Sequence, residues 1–158
     1  MLVGGCELLT HEAISSFLTD AHVHLLAMHY AVPEGAAAAL GATKRRAAEI
    51  LDCVADTGCL FDAGIIHHHL ASLVATARLV CGATSEEEEE AGLRGAVAAA
   101  CATLCPLLAE FPPFWAAVVS DEGVAGLWVS LEGARRAAGE MGPEVRERMR
   151  WVVEAYEV

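Results

Sequence analysis

The sequence predicts an all-α fold: one compact bundle of about seven helices around a central apolar helix. Three observations lead there. The chain is 55% hydrophobic yet only 6% aromatic, with long alanine, valine and leucine runs, a balance that favours close helix packing over a β-sandwich. Its apolar residues recur at helical spacing between glycine and proline punctuation. Residues 85 to 111 read SEEEEEAGLRGAVAAACATLCPLLAEF, and past Arg94 no polar face remains. A helix that is apolar all round is expected to be buried all round, with the amphipathic helices as its wrapping. At 158 residues the chain is the size of one domain and buries roughly 70% of its unfolded surface without staples. Residues 1–158 therefore read as a single helical domain, with 1–9 as a short leader.

The first helix is expected from about His11 to Ala31, ending before Pro33. Ile14, Phe17, Leu18, Ala21, Leu25 and Met28 keep the spacing of one buried stripe, and Ser15, Ser16, Thr19, Asp20 and His22 mostly take the other face. The second, about Glu34 to Asp56, has Pro33 near its first turn and Gly58 beyond its end, the asymmetry helices prefer. The third, about Asp62 to Cys81, aligns Ile66, Leu70, Leu73, Ala77 and Val80, with Gly82 as its C′ residue.

Ser85 followed by Glu88 matches a capping box, and Glu86 to Glu90 place negative charge at the positive end of the helix dipole. The acidic run is thus the solvated start of the central helix. A short FWAAVV segment follows Pro112 and Pro113. Asp121 caps a helix of about Glu122 to Ala138, with Leu127, Trp128 and Leu131 turned inward and Gly139 and Gly142 ending it. Pro143 opens a last helix, Glu144 to Tyr156, whose EVRERMR alternates sign on an exposed face.

The formal charge is −12, from 22 acidic and 10 basic side chains. Such a balance disfavours nucleic acid, which calls for a basic stripe, and an anionic membrane surface. MLVGGCELLT has neither a basic n-region nor a long apolar h-region, so a standard signal peptide is not expected. The best membrane candidate, Leu93 to Ala109, carries Arg94 and Pro106 and is at the lower edge of the roughly 20 apolar residues a span needs, so a span is not expected. Cys6, Cys53, Cys59, Cys81, Cys101 and Cys105 lie mostly in apolar helical stretches, where reduced, buried thiols acting as small hydrophobes are expected.

No residue pattern demands catalysis. His67, His68 and His69 are consecutive, so their imidazoles fan about 100° apart and are expected on the surface; no two histidines have the i,i+3 or i,i+4 spacing that chelates from one helix. Cys101 and Cys105 do have i,i+4 spacing, but without a flanking histidine they read as core. Asp52 and Asp56 share that spacing near a helix end and read as solvated. There is no G-x-S-x-G, phosphate loop or H-E-x-x-H. The expectation is a non-enzymatic chain with no catalytic residue, no metal and no cofactor. Attention then falls on aromatic residues in an aromatic-poor chain. Phe114 and Trp115 beside the proline break, and Trp151 near the terminus, are the candidate partner-binding residues, with a place plugging the core as the equal alternative for each.

This layout resembles the Bcl-2 fold, and more narrowly the poxviral Bcl-2-like proteins of the host-defence-inhibitor class. LTHEAISSFLTDAHVHLLAMHYAV resembles the family's first helix, LRGAVAAACATLCPLLAEF its central helix, and VAGLWVSLEGARRAAGEMGPEVRERMR its final helix pair. The Asn-Trp-Gly-Arg signature of cellular Bcl-2 proteins is not present, so no functional residue carries over by motif. The resemblance implies a protein of the host cytoplasm that binds host signalling proteins and blocks NF-κB and innate immune activation. Its alternative branch is anti-apoptotic, sequestering pro-apoptotic helices. Many relatives dimerise through a bundle face, so a homodimer is among the expectations. Outside the resemblance, a helical metal-binding or scaffold protein is the competing class.

Overall fold

The computed structural model describes residues 16–56, 63–82 and 88–154, the side chains of 82 and 88–91 excepted. The leader, the stretch from His11 to Ser15 and the Ser85 end of the capping box lie outside the described residues. Every described element is a helix: α1 (Phe17–His29), α2 (Pro33–Ala55), α3 (Ala63–Gly82), α4 (Glu88–Thr103), α5 (Cys105–Leu108), α6 (Pro112–Ser120), α7 (Glu122–Ser130), α8 (Glu132–Gly139) and α9 (Pro143–Glu154). None is long and apolar enough to cross a membrane.

Nine helices stand among the described residues where about seven were expected, because two expected helices each break once. The first break falls at Leu104, just before Pro106. Proline has no amide hydrogen and its ring crowds the carbonyl one turn back, so α4 stops and α5 restarts. The second falls at Leu131. There the Ser130 hydroxyl donates to the Leu127 carbonyl at 2.6 Å, the acceptor that the Leu131 amide would use in a continuous helix, and that amide bonds to Trp128 instead. Elsewhere the local signals hold. Pro33 stands at the start of α2, Pro143 opens α9, and the Asp121 carboxylate accepts from the Gly123 and Val124 amides at the start of α7.

The opening of α1 is a correction. Ser16 is extended, with φ −138° and ψ 171°, and its hydroxyl accepts from the Thr19 amide, so the helix begins there and does not run through from His11. Its buried face is also rotated from the expected stripe. Phe17, Asp20, Ala21 and His24 are buried, while Leu25 and Leu26 are exposed. The cause is a partner on α2. The Arg46 guanidinium reaches Asp20 through Nε and Nη2, at 3.2 and 3.1 Å to one carboxylate oxygen. Burial pushes the Asp20 carboxyl above the ordinary carboxylate value, outweighing the opposing pull of Arg46 and, more weakly, Arg45. His24 follows Asp20 inward and donates from Nδ1 to the Ala36 carbonyl at 3.2 Å.

The centre is shared by α3 and α4. The former packs on α1, α4, α6, α7 and α9, the latter on α1, α2, α3, α5 and α8. Full burial of the apolar helix on every side is not observed: Gly92 and Gly95 are exposed and Ala98, Ala99 and Ala102 only half-buried. Alanine adds so little apolar area that leaving part of it wet costs little, so the missing polar face does not force a cover. The wider buried arc belongs to α3, and it takes in His67 and His69. Both were expected on the surface; only His68 is exposed. His67 stacks on Phe111 with ring centroids 6.3 Å apart and donates from Nε2 to the Val152 carbonyl of α9. His69 meets the ring of Phe17 edge-on.

Two further contacts fix how helices meet. Arg148 of α9, expected on an exposed alternating face, donates to the Val54 and Asp56 carbonyls at 2.9 and 2.8 Å. It thereby closes the C-terminal end of α2, where orphan carbonyls and the negative dipole end favour a cation. At Gly123 a Cβ would lie 2.7 Å from the Cys81 carbonyl oxygen, so only glycine allows α7 to sit this close to α3.

The Asp20–Arg46 pair sets the first prediction. Replacing one partner leaves a buried charge, so Asp20→Ala or Arg46→Met is expected to cost ~3–5 kcal/mol in chemical denaturation. The double variant Asp20→Leu/Arg46→Met removes both charges and should recover most of that loss. A double variant as unstable as the sum of the singles would show that the two groups are not coupled.

A second prediction concerns the end of α1. The Val32 amide bonds to the Ala27 carbonyl at 2.7 Å and the Ala31 amide to Met28 at 3.2 Å, a Schellman closure with Ala31 at φ 56°. The left-handed region costs an L-residue roughly 1–2 kcal/mol. After glycine's own entropy is subtracted, Ala31→Gly should stabilise by about 0.5–1 kcal/mol, a rise of ~2 °C in Tm. An unchanged or lower Tm would mean that this conformation carries no strain.

Candidate functional site

The three aromatic candidates do not share one surface. Phe114 is completely buried, which removes it from any contact face: α6 is apolar up to its last residue, Ser120, and its first turn drives this ring into the core. Trp115, the next residue, is 37% exposed. Its indole Nε1 donates to the Ala109 carbonyl at 2.6 Å, and its ring stands edge-on to Trp128 at 4.9 Å. Phe114 lies beneath, 5.4 Å from Trp128, and Arg135 of α8 covers the Trp128 ring at 4.8 Å. Trp115 is therefore the half-exposed tip of a structural cluster. One turn on, Val119 is 85% exposed and extends the apolar face of α6. Trp151, 60% exposed, lies apart on α9, a helix that packs on α2, α3 and α5.

A larger apolar surface was not expected. On α1, Val23, Leu26 and Tyr30 follow one another at i, i+3 and i+7 along one face. Leu26 is 57% and Tyr30 71% exposed, and Leu25 and Val32 are exposed beside them. The sequence signal was present, since α1 has more apolar residues than one stripe can hold. It was missed because Asp20 was assigned to water.

Two of the hollows lined by described residues carry charged or thiol side chains. One, of about 180 Å³, is lined by Glu110 together with Arg135, Arg146 and Arg150, between α8, α9 and the turn after α5. The other, of about 270 Å³, lies between α3, α4 and α7 and has Cys81 and Arg94 among mostly apolar walls. No group of three His, Cys, Asp or Glu side chains that could hold a metal occurs among the described residues.

The cysteines differ from one another. Cys101 and Cys105 are buried free thiols, as the i,i+4 core reading expected, and Cys81 is a half-buried free thiol. Cys53 departs from the expectation of reduced cysteines: it is disulfide-bonded. Burial raises the Cys101 thiol to about 12, with the neighbouring Cys81 and Cys105 adding to it. Burial also raises Cys81, against the pull of Arg94, and Cys105, against the pull of Arg135.

Among the described cysteines, alkylation at pH 8 is accordingly expected to reach Cys81 first. Cys101 and Cys105 should label only on unfolding, and Cys53 only after reduction. Peptide mass spectrometry over a time course reads this order directly, and prompt labelling of Cys101 in the folded protein would contradict its burial.

No protein-family model, curated protein or solved structure matches the chain.

Proposed function

We propose that this protein acts by binding, as a non-enzymatic host-interaction protein of the poxviral Bcl-2-like kind that occupies the surface of a host signalling protein and lowers NF-κB and innate immune activation. The observation that carries the binding part is the exposed apolar stripe of α1, Val23, Leu26 and Tyr30. Contiguous exposed apolar residues on a helix face mark interaction sites, and such a face reads as i, i+3, i+7 anchors against a partner. The all-helical architecture and the length and polarity of three sequence segments support the finer family reading. The partner-binding residues in this reading are those of the α1 stripe, joined by Trp115 and Val119 of α6. Cytoplasmic placement adds a requirement, because glutathione keeps cytosolic thiols reduced; the Cys53 disulfide would be open there.

The test is expression of the tagged chain in stimulated human cells, with identification of what co-purifies and an NF-κB reporter in parallel. Wild type is expected to lower the reporter and recover a signalling adaptor or kinase. Leu26→Glu should abolish both effects while keeping its Tm, because the site is already solvent-exposed. Val119→Glu separates the two faces: equal loss would extend the contact to α6. Recovery of pro-apoptotic proteins with an unaffected reporter would replace the NF-κB branch with the apoptotic one. Only copies of the chain itself, again with an unaffected reporter, would turn the stripe into a homodimer face and overturn the proposal.

A further inference from the structure

The hollow beside α8 and α9 is positively charged in an acidic chain. In a chain of net charge −12, Arg135, Arg146 and Arg150 line one small cavity with a single carboxylate, Glu110. Neither ion pair among the described residues, Asp20–Arg46 or Glu132–Arg136, involves any of the three. Arg146 and Arg150 stand at i,i+4 on α9, so both guanidinium groups project from one face. Arg135 comes from the other wall, held in place by its stacking over Trp128. Its Nε is buried and has no hydrogen-bond partner, a donor that costs stability until an acceptor arrives.

From these residues we infer that the cavity binds a phosphate group. Three guanidinium groups opposed by one carboxylate leave two positive charges, matching the roughly −1.5 to −2 of a phosphate monoester at neutral pH. A single carboxylate ligand would leave half of that charge uncompensated. Guanidinium forks also suit phosphate oxygens, which accept two parallel N–H bonds. At about 180 Å³ the cavity falls below the ~300–1,000 Å³ of ordinary small-molecule pockets, so it suits the phosphate and not the body attached to it. The bearer then extends into solvent. Two sources share this chemistry, free phosphate and a phosphorylated side chain of a protein. The inference stands without the NF-κB reading, since it rests on a different end of the bundle from the α1 stripe.

The test is calorimetric titration of the full chain with inorganic phosphate at constant ionic strength, chloride being the balancing anion. Saturable binding is expected, together with a Tm increase that equal ionic strength of chloride does not give. Arg146→Gln and Arg150→Gln alter exposed residues and should keep the wild-type Tm in chloride while each weakening phosphate binding about tenfold or more. Glu110→Gln removes the competing carboxylate and should tighten it. A phosphoserine peptide that binds more tightly than inorganic phosphate, while its unphosphorylated form does not bind, would assign the site to a phosphorylated protein; inorganic phosphate binding alone would assign it to the free ion. Absence of saturable binding by both probes, or binding unchanged in both arginine variants, overturns the inference.

Discussion

The bundle depends on the burial of α3 across an arc that includes polar side chains. A buried polar group without a partner costs more than a typical hydrogen bond returns, so the polar groups of α3 that bond to another helix constrain that neighbour. Ser72 accepts the Leu18 amide at 3.0 Å and so supplies a cap to α1 from a different helix. The Thr76 hydroxyl donates back to the Ser72 carbonyl at 2.7 Å, and His67 ties α3 to the backbone of α9 through Val152. Apolar packing alone would let these helices slide, because alanine-rich surfaces present few deep holes. The polar contacts give α1 and α9 one register each.

The far end of the molecule is organised differently. On α8 no residue is fully buried, and its position comes from Leu131 at its start and from Arg135 over Trp128. Through that stack, the aromatic cluster of Phe114, Trp115 and Trp128 adjoins the arginine-lined cavity. Ala109 belongs to both, accepting the Trp115 indole hydrogen and lining the hollow. Arg148 then fastens α9 to the end of α2. This end is thus held by directional contacts of arginine where the α3–α4 centre is held by area.

Features decided within a few residues were legible in the sequence, and features decided across the fold were not. Pro33, Asp121 and Pro143 announced helix starts because an N-terminal turn lacks internal donors and acceptors wherever it sits. The all-helical class followed from composition and spacing in the same way. The break at Leu131 was missed because it depends on which carbonyl the Ser130 hydroxyl chooses. His67 and His69 were misplaced because helical spacing states only that they diverge, and α3 turned out to be covered through most of its circumference. Of the candidate residues, Phe114 failed for a related reason: an aromatic beside a proline break looks the same in sequence whether it plugs the core or faces out. Of the cavity's arginines, the sequence shows Arg146 and Arg150 only as part of an alternating charged face, and only the packing of α8 and α9 brings Arg135 to them.

One exchange links the interior of α1 to its exterior. Turning Asp20 toward Arg46 rotates the helix so that Leu25, Leu26 and Tyr30 face water. Burying a leucine gains ~1.5–3 kcal/mol, whereas a buried ion pair is close to neutral once desolvation is counted. Rotation the other way would cover Leu26 but expose Phe17 and Ala21, both fully buried on the face that carries Asp20. The observed rotation leaves an ordered apolar stripe, held by the interior pair and by the Ser16 and Ser72 caps at its start. Covering that stripe with another surface would gain the burial energy it now lacks, which is the physical ground for the binding proposed at this face of α1.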